Sequence, residues 1–373
     1  MGRNVVLAPV VKADGYGHGI EVAARAFLAG GAHRLCVATL DEAVALRTAG
    51  VTDVPIIVLF ALAPDLVTTA VEADLELVVA DEASVADTLA VWRSSGRGQA
   101  GTLRLHLEVE TGLARAGVRP ERAGEVAQAI SRTESVKLVG IWSHLASSHD
   151  RAVSDEQVHR LDTAVENVRA AGIPVPPRHL WATGGLLGGT RGAFEMVRPG
   201  LVAYGVAPTP FPVSAGAETF AASLRPAMTI KARALRVETV RAGEPVGYGG
   251  TWVADRESRV ATLPIGYGDG WARASSPGAM ALVRGRRVPL VGTVAMDAVT
   301  ADVTEVADVG AADEFVLLGA QGDERIETGE LARLRTTISW EVLAGMARRI
   351  PRVYDAGSEV TGMRTLAGER LRK

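Results

Sequence analysis

The sequence predicts an α/β fold, with an N-terminal (β/α)8 TIM-type barrel over residues 1–223 and a C-terminal, mostly antiparallel β domain over residues 224–373. Three observations carry this expectation. Eight short apolar, β-branched runs recur between residues 5 and 200; longer Ala-rich segments of helical period lie between most of them; and after about residue 224 the runs shorten and alternate.

The eight runs, in order, are VVLAPVVK, LCVATL, VPIIVLF, LELVVA, LRLHLEV, VKLVGIWSHL, PRHLWAT and MVRPG. Most are rich in Val, Ile and Leu and nearly continuous in apolar character, as a parallel strand covered on both faces must be, and each reads as a buried strand. Segments such as GIEVAARAFLAGGA, DEAVALRTAG and RAGEVAQAISRTES place Ala, Leu and Val three and four residues apart, the spacing of one helix face. Beyond residue 224, runs such as AMTIKARALRV, SRVATLPIGYG, RVPLVGTVAM and EFVLLGA are separated by Gly- and Asp-containing turns, which predicts antiparallel strands ending near a helical ISWEVLAGMARR.

Composition narrows the function classes. The chain has 373 residues, 47% of them hydrophobic, enough for one large domain and a smaller one. Forty Lys and Arg stand against 43 Asp and Glu, with no dense basic block, so the expected partners are a small molecule and a second copy of the chain, with no nucleic acid. The single cysteine, Cys36, precludes an internal disulfide; it lies in an apolar run as a buried structural thiol, and no metal site is expected. No apolar stretch reaches the ~18 residues of a membrane span and no signal-peptide pattern opens the chain, so a cytoplasmic, membrane-free protein is expected.

In a parallel barrel the polar residues at the C-terminal strand ends face the active site, which singles out Lys12, Glu108, His144, Thr183 and Arg198. Lys12 closes the first run in VVKADGYGHG and is followed by Tyr16 and His18 in a glycine-rich turn. Burial and nearby positive charge would free its amine to form a Schiff base with a carbonyl cofactor. Thr183 lies at the seventh strand end, and VRPGLVAYG adds Arg198 and a glycine-opened backbone at the eighth, where such barrels often bind phosphate. An amine nucleophile, a phosphate site and a cationic partner together suit pyridoxal 5'-phosphate.

These motifs identify a resemblance. VVKADGYGHG, MVRPGLVAYG, LPIGYGDG and VGTVAMD follow the order and approximate spacing of the alanine racemase family of fold-type III pyridoxal phosphate enzymes, and the similarity runs along essentially the whole chain. It implies a cytoplasmic isomerase that interconverts L- and D-alanine, a peptidoglycan precursor. By resemblance, Lys12 holds the cofactor, Tyr16, Thr183 and the backbone of Gly200 and Leu201 hold its phosphate, His144 packs against its ring, and Arg198 faces its pyridine nitrogen. An always-charged guanidinium there keeps that nitrogen unprotonated and weakens the ring as an electron sink.

Inverting Cα requires a proton to leave one face and another to arrive on the opposite face. Lys12 serves one face, and Tyr267 resembles the tyrosine that serves the other, supplied in the family by the second subunit of a homodimer. A tyrosine needs positive charge or a hydrogen-bonding partner nearby to act as a base near neutrality. Arg115 and the Met296 amide match groups that hold the substrate carboxylate, with Asp297 beside Met296 in the same loop. Planar Arg geometry suits bidentate carboxylate binding.

The chain departs from the family pattern at several of these places. Glu108 stands where many members carry a carbamylated lysine that positions the substrate arginine; a carboxylate presents two oxygens and a negative charge without carbon dioxide. Trp340 replaces a usual tyrosine, giving a larger group that can only donate. Ala182 replaces a common asparagine, and Ala295 and Ala298 flank Met296 and Asp297. Only MGRNVVLAPVV precedes Lys12, where members usually have a further strand and helix, so either the start is misassigned, the chain is trimmed, or that cover of the barrel bottom is missing. On these residues three other readings stay open: a racemase of another small amino acid, a decarboxylase of a basic amino acid, and a non-catalytic pyridoxal phosphate carrier.

Overall fold

The computed structural model describes residues 5–96, 101–189, 194–209, 211–357 and 359–371; residues 1–4, which open the short segment before Lys12, lie outside the described residues. The chain divides into two compact units. Within the described residues the first comprises 5–15, 20–203 and 211–224, and the second 16–19, 204–209 and 225–371.

Each of the eight apolar runs supplies a strand of the first unit: β1 (Val6–Leu7), β2 (Leu35–Val37), β3 (Ile56–Val58), β4 (Glu76–Val79), β5 (Leu103–Glu108), β6 (Val136–Trp142), β7 (Arg178–His179) and β8 (Met196–Val197). They pair in parallel in the order β1-β8-β7-β6-β5-β4-β3-β2. A parallel bridge between Val10 and Cys36, with Val11 N donating to Cys36 O at 2.8 Å, joins the first strand's extension to β2 and closes the ring. Every residue of β2, β3 and β4 is buried, which accounts for the apolar sequence of β2 and β3 and of β4 after its first residue, Glu76. Helices such as Ile20–Ala29, Leu40–Thr48, Ala123–Ser131 and Arg151–Ala170 connect successive strands. Cys36 is fully buried, as its apolar run predicts.

After Lys12 the backbone enters a left-handed turn, with φ of 52° at Ala13, 56° at Asp14, 61° at Gly15 and 50° at Tyr16. Three of these residues carry a Cβ, so the conformation costs about 1–2 kcal/mol at each and persists only where its surroundings hold it. They do: Ala13 N donates to Glu42 Oε1 at 2.7 Å, Ile20 N to Asp14 Oδ1 at 3.0 Å, and Gly15 N to Val11 O at 2.8 Å. Glu42 also closes the capping box with Thr39 at the start of helix Leu40–Thr48, so one carboxylate fixes both the turn and the helix beside it.

The second unit is built on an antiparallel sheet ordered β10-β13-β16-β15-β14-β17-β18, with β9 on β17. Its strands are β9 (Ile230–Arg233), β10 (Arg236–Val240), β13 (Ser258–Leu263), β14 (Met280–Val283), β15 (Arg286–Val291), β16 (Val299–Asp302), β17 (Glu314–Gln321) and β18 (Glu324–Ile326), and β11 (Pro245–Val246) pairs β12 (Trp252–Val253) separately. Val240, Val246, Ala254, Val260 and Val291 form a core patch beneath Trp252. The sequence reading stops at a terminal helix, whereas the chain continues past helix Ser339–Ala344 into a three-stranded sheet, β19 (Arg352–Ala356), β20 (Glu359–Thr365) and β21 (Gly368–Leu371). Val353, Val360 and Met363 of this sheet are exposed, so it lacks the buried apolar alternation that marks a strand in sequence. Among the described residues no helix is long and apolar enough to cross a membrane.

Candidate active site

The barrel gathers Lys12, Arg115, Glu108, His144, Thr183 and Arg198 at the C-terminal ends of its strands. Glu108 is the last residue of β5, Arg198 follows β8, His144 lies two residues past β6, and Thr183 opens the short helix Thr183–Gly188 after β7. Burial pushes the Lys12 amine below the usual lysine range, and Arg115 and Arg198 push it the same way against the opposing pull of Glu42. Its ammonium group lies 6.0 Å from the centre of the Phe60 ring, whose face also takes the Arg115 guanidinium at 5.5 Å.

Glu108 is almost fully buried and its Oε1 accepts from Arg115 Nη2 at 3.3 Å. Burial raises its carboxyl above the ordinary range, with Arg115 and Arg198 opposing that rise. His144 is pushed down to about 3 by burial and by Arg198, Arg115 and Lys12, so it is a neutral imidazole at any physiological pH. Thr183 is buried and its Oγ1 accepts from Val202 N at 3.4 Å, which sets the hydroxyl against the turn opening at Leu201; Gly200 O accepts from Ala203 N at 2.8 Å in the same turn. Ala182 occupies the N-cap of the helix beginning at Thr183 and gives no side-chain cap.

Arg198 is the most deeply held of the set. Its Nη1 donates to His179 Nδ1 at 2.6 Å and His179 O at 2.9 Å, and its Nη2 to Ser143 O at 2.8 Å and Leu180 O at 3.4 Å. The guanidinium also lies over Trp142, 4.6 Å from the ring centre. Burial brings it down to about 10, so it stays charged at neutral pH. His179, Trp142 and the residues behind them escape the sequence reading: Trp142 ends a mostly apolar strand, and His179 follows Arg178 in a strand of two residues, so neither stands out locally.

The remaining predicted residues lie in the second unit. Tyr16 and Tyr204 stack with ring centres 5.1 Å apart, and His18 stacks on Tyr204 at 4.6 Å. Tyr267 and Met296 occupy adjoining loops: Tyr267 N donates to Ala295 O at 3.0 Å and Gly268 N to Met296 O at 2.8 Å. A side chain at Gly266 would put a Cβ 2.2 Å from Ala295 O, so only glycine permits this approach. Ala295 N donates to Ala298 O at 3.0 Å, closing the tight turn that holds Met296 and Asp297.

Arg349, which the sequence reading passes over, ties both loops together. Its Nε donates to Asp269 Oδ1 at 2.7 Å, and its Nη2 to Asp297 Oδ1 at 2.6 Å and to Met296 O at 3.4 Å. The two carboxylates raise its already high pKa further. Trp340, the second residue of helix Ser339–Ala344, is half-buried.

Comparison with known proteins joins the two clusters to one lineage. Residues 1–208 match the family model described as alanine racemase, N-terminal domain, and residues 227–354 that described as alanine racemase, C-terminal domain. This chain belongs to the alanine racemase family. It is 34% identical to the alanine racemase of Halothermothrix orenii over 95% of this chain and 91% of that protein, and 37% identical to that of Desulfovibrio desulfuricans over 94% and 91%. The crystal structure of alanine racemase from Bacillus anthracis with bound L-Ala-P superposes with a TM-score of 0.88 at 28% identity, covering 98% of this chain and 92% of that one. The alanine racemase family depends on pyridoxal phosphate, and a barrel followed by an antiparallel β unit is its fold. Membership removes the decarboxylase and carrier readings.

Proposed function

We infer that the protein is a pyridoxal phosphate-dependent isomerase that interconverts L- and D-alanine, with Lys12 and Tyr267 as the two acid/base groups. One observation carries the reading: Lys12 stands at the barrel mouth with its amine held below the usual lysine range by burial and by Arg115 and Arg198. The residues around it fit the cofactor. Lys12 supplies the amine that its aldehyde requires, and the Thr183 hydroxyl with the turn opening at Leu201 offers groups for its phosphate. Lys12, Arg115 and Arg198 outweigh Glu42 and Glu108 in charge, which favours an anionic guest.

When bound, pyridoxal phosphate takes up the electron pair left on the substrate Cα. Arg198 stays charged at neutral pH and so supplies the ring nitrogen with a hydrogen bond and no acid. His144, neutral, offers an imidazole surface to the ring. Arg115, anchored on Glu108, and the Met296 loop, anchored through Asp297 on Arg349, hold the substrate carboxylate. Lys12 moves a proton on one face of Cα and Tyr267 on the other. We propose further that Tyr267 and Met296, 43% and 53% exposed in one copy of the chain, serve a second copy in a cytoplasmic homodimer.

Deuterium uptake at Cα, measured from each enantiomer of alanine in heavy water, tests the reading. Wild-type protein converts both enantiomers with exchange, and Tyr267→Phe loses about 10²–10⁴-fold on one face preferentially. Release of carbon dioxide, or equal and undiminished exchange on both faces in Tyr267→Phe, rejects it.

A further inference from the structure

Behind Arg198, side chains from three further strands form one directed line of hydrogen bonds. His179 ends β7, His106 lies within β5 and Glu76 opens β4. All are enclosed: Glu76 is 1%, His106 0%, His179 0% and Arg198 2% exposed. Room for the imidazole pair is set aside by β6, where a Cβ on Gly140 would lie 2.1 Å from His106 Nδ1 and 3.0 Å from His179 Nε2. The β5–β6 register shifts at this point, between Leu105 and His106.

The direction of the line follows from donor chemistry. A guanidinium only donates, so the 2.6 Å contact from Arg198 Nη1 makes His179 Nδ1 an acceptor and puts the His179 proton on Nε2. That nitrogen faces His106 Nδ1 at 3.0 Å, which must therefore accept, leaving the His106 proton on Nε2. His106 Nε2 lies 2.9 Å from Glu76 Oε2, which also accepts from Arg34 Nε at 3.3 Å. A proton on either Nδ1, or on both nitrogens of either ring, sets two donors face to face somewhere along the line.

The same contacts settle how Arg198 is turned. Its four terminal N–H groups are engaged by His179 Nδ1, His179 O, Ser143 O and Leu180 O, which leaves Nε–H as the donor not engaged among the described residues. We propose that Glu76 is a positioning residue which, through His106 and His179, fixes the Arg198 guanidinium so that Nε–H is the donor offered to the cofactor's ring nitrogen. The proposal rests on the reading that Arg198 serves that nitrogen. If Glu76 loses its acceptor role, the two imidazoles can reverse, His179 turns a proton toward Arg198, and the guanidinium must rotate.

Nitrogen-15 NMR of the full-length, cofactor-loaded protein labelled at histidine tests this. In the wild type both His106 and His179 carry a protonated Nε2 and a bare Nδ1; an imidazolium or an Nδ1 proton at either one overturns the proposal. In Glu76→Leu both lose this single pattern, and pyridoxal phosphate titrated into the apoprotein binds about tenfold more weakly. Glu76→Gln keeps the wild-type pattern and affinity, because its amide oxygen accepts from His106. Unchanged tautomers and affinity in Glu76→Leu refute the proposal, as does Glu76→Gln behaving like Glu76→Leu. Should the leucine variant not fold, the wild-type and glutamine spectra alone decide. Wild-type protein that binds no pyridoxal phosphate would instead sink the reading of Arg198 itself, while leaving the tautomers to be judged separately.

Discussion

The barrel cluster and the second-unit cluster hold their groups by different means. In the barrel, Arg198, Glu108 and Thr183 are almost wholly buried, and burial displaces the pKa values of Lys12, Glu108, His144 and Arg198. In the second unit, Tyr267 and Met296 are exposed on loops, and their positions depend on backbone pairing and on one partly exposed arginine, Arg349. The barrel tunes its groups by excluding water; the second unit aims its groups by tying two loops together. A cluster that tunes is expected to fail through chemistry, and one that aims is expected to fail through geometry.

The largest effect belongs to the barrel. On the proposed roles, Lys12→Ala removes both the amine for the cofactor and one of the two proton carriers, so activity falls by at least about 10³-fold. The visible absorbance of covalently held cofactor disappears with it, as spectrophotometry would record. Residual activity within tenfold of wild type would dissolve the distinction, since the tuned group would then be dispensable.

A smaller and more selective effect is expected from Arg349→Ala. It releases Asp269 and Asp297 together, so the Tyr267 and Met296 loops drift apart and kcat/KM for alanine falls by about 10–100-fold, the usual consequence of misplacement near 1 Å. Affinity for pyridoxal phosphate, which the barrel residues are proposed to set in the main, stays as it is. Arg349→Lys does not rescue, because an ammonium group lacks the fork that reaches both carboxylates. Equal losses in cofactor affinity and in kcat/KM would show that the two clusters are not separable in this way.

Much of this was legible in the sequence, for a physical reason. A strand buried on both faces leaves a continuous apolar run, and a polar residue at its C-terminal end has few structural reasons to be there, so Lys12, Glu108 and Arg198 stood out. His106, His179 and Glu76 did not, because His106 and Glu76 each sit between two leucines, His179 sits between an arginine and a leucine, and only the strand order brings the three within hydrogen-bond distance. Arg349 was hidden differently: it follows Arg348 in MARRIP, and nothing local distinguishes the arginine that bridges two loops from the one beside it. The left-handed turn after Lys12 was half legible, since Gly15 and Gly17 announce it but Ala13, Asp14 and Tyr16 do not.

Glu108 gives the finest test, because it is a tuned group in the barrel whose proposed task is to aim another, Arg115. Burial raises its carboxyl above the ordinary range, so it is charged above that raised value and neutral below it. Its ion pair with Arg115 is therefore lost as pH falls, at a higher pH than an ordinary carboxylate would show. KM for alanine in the wild type should climb on the acid side for this reason. Glu108→Gln keeps an oxygen that can accept from Arg115 but removes the charge, so KM at neutral pH rises by about 3–10-fold and the acid-side climb disappears. The effect stays modest because the Arg115 side chain is 40% exposed and water screens the pair. Steady-state kinetics of both proteins from neutral to acid pH measure this directly; a glutamine variant with wild-type KM and an unchanged acid limb would show that Glu108 does not position Arg115.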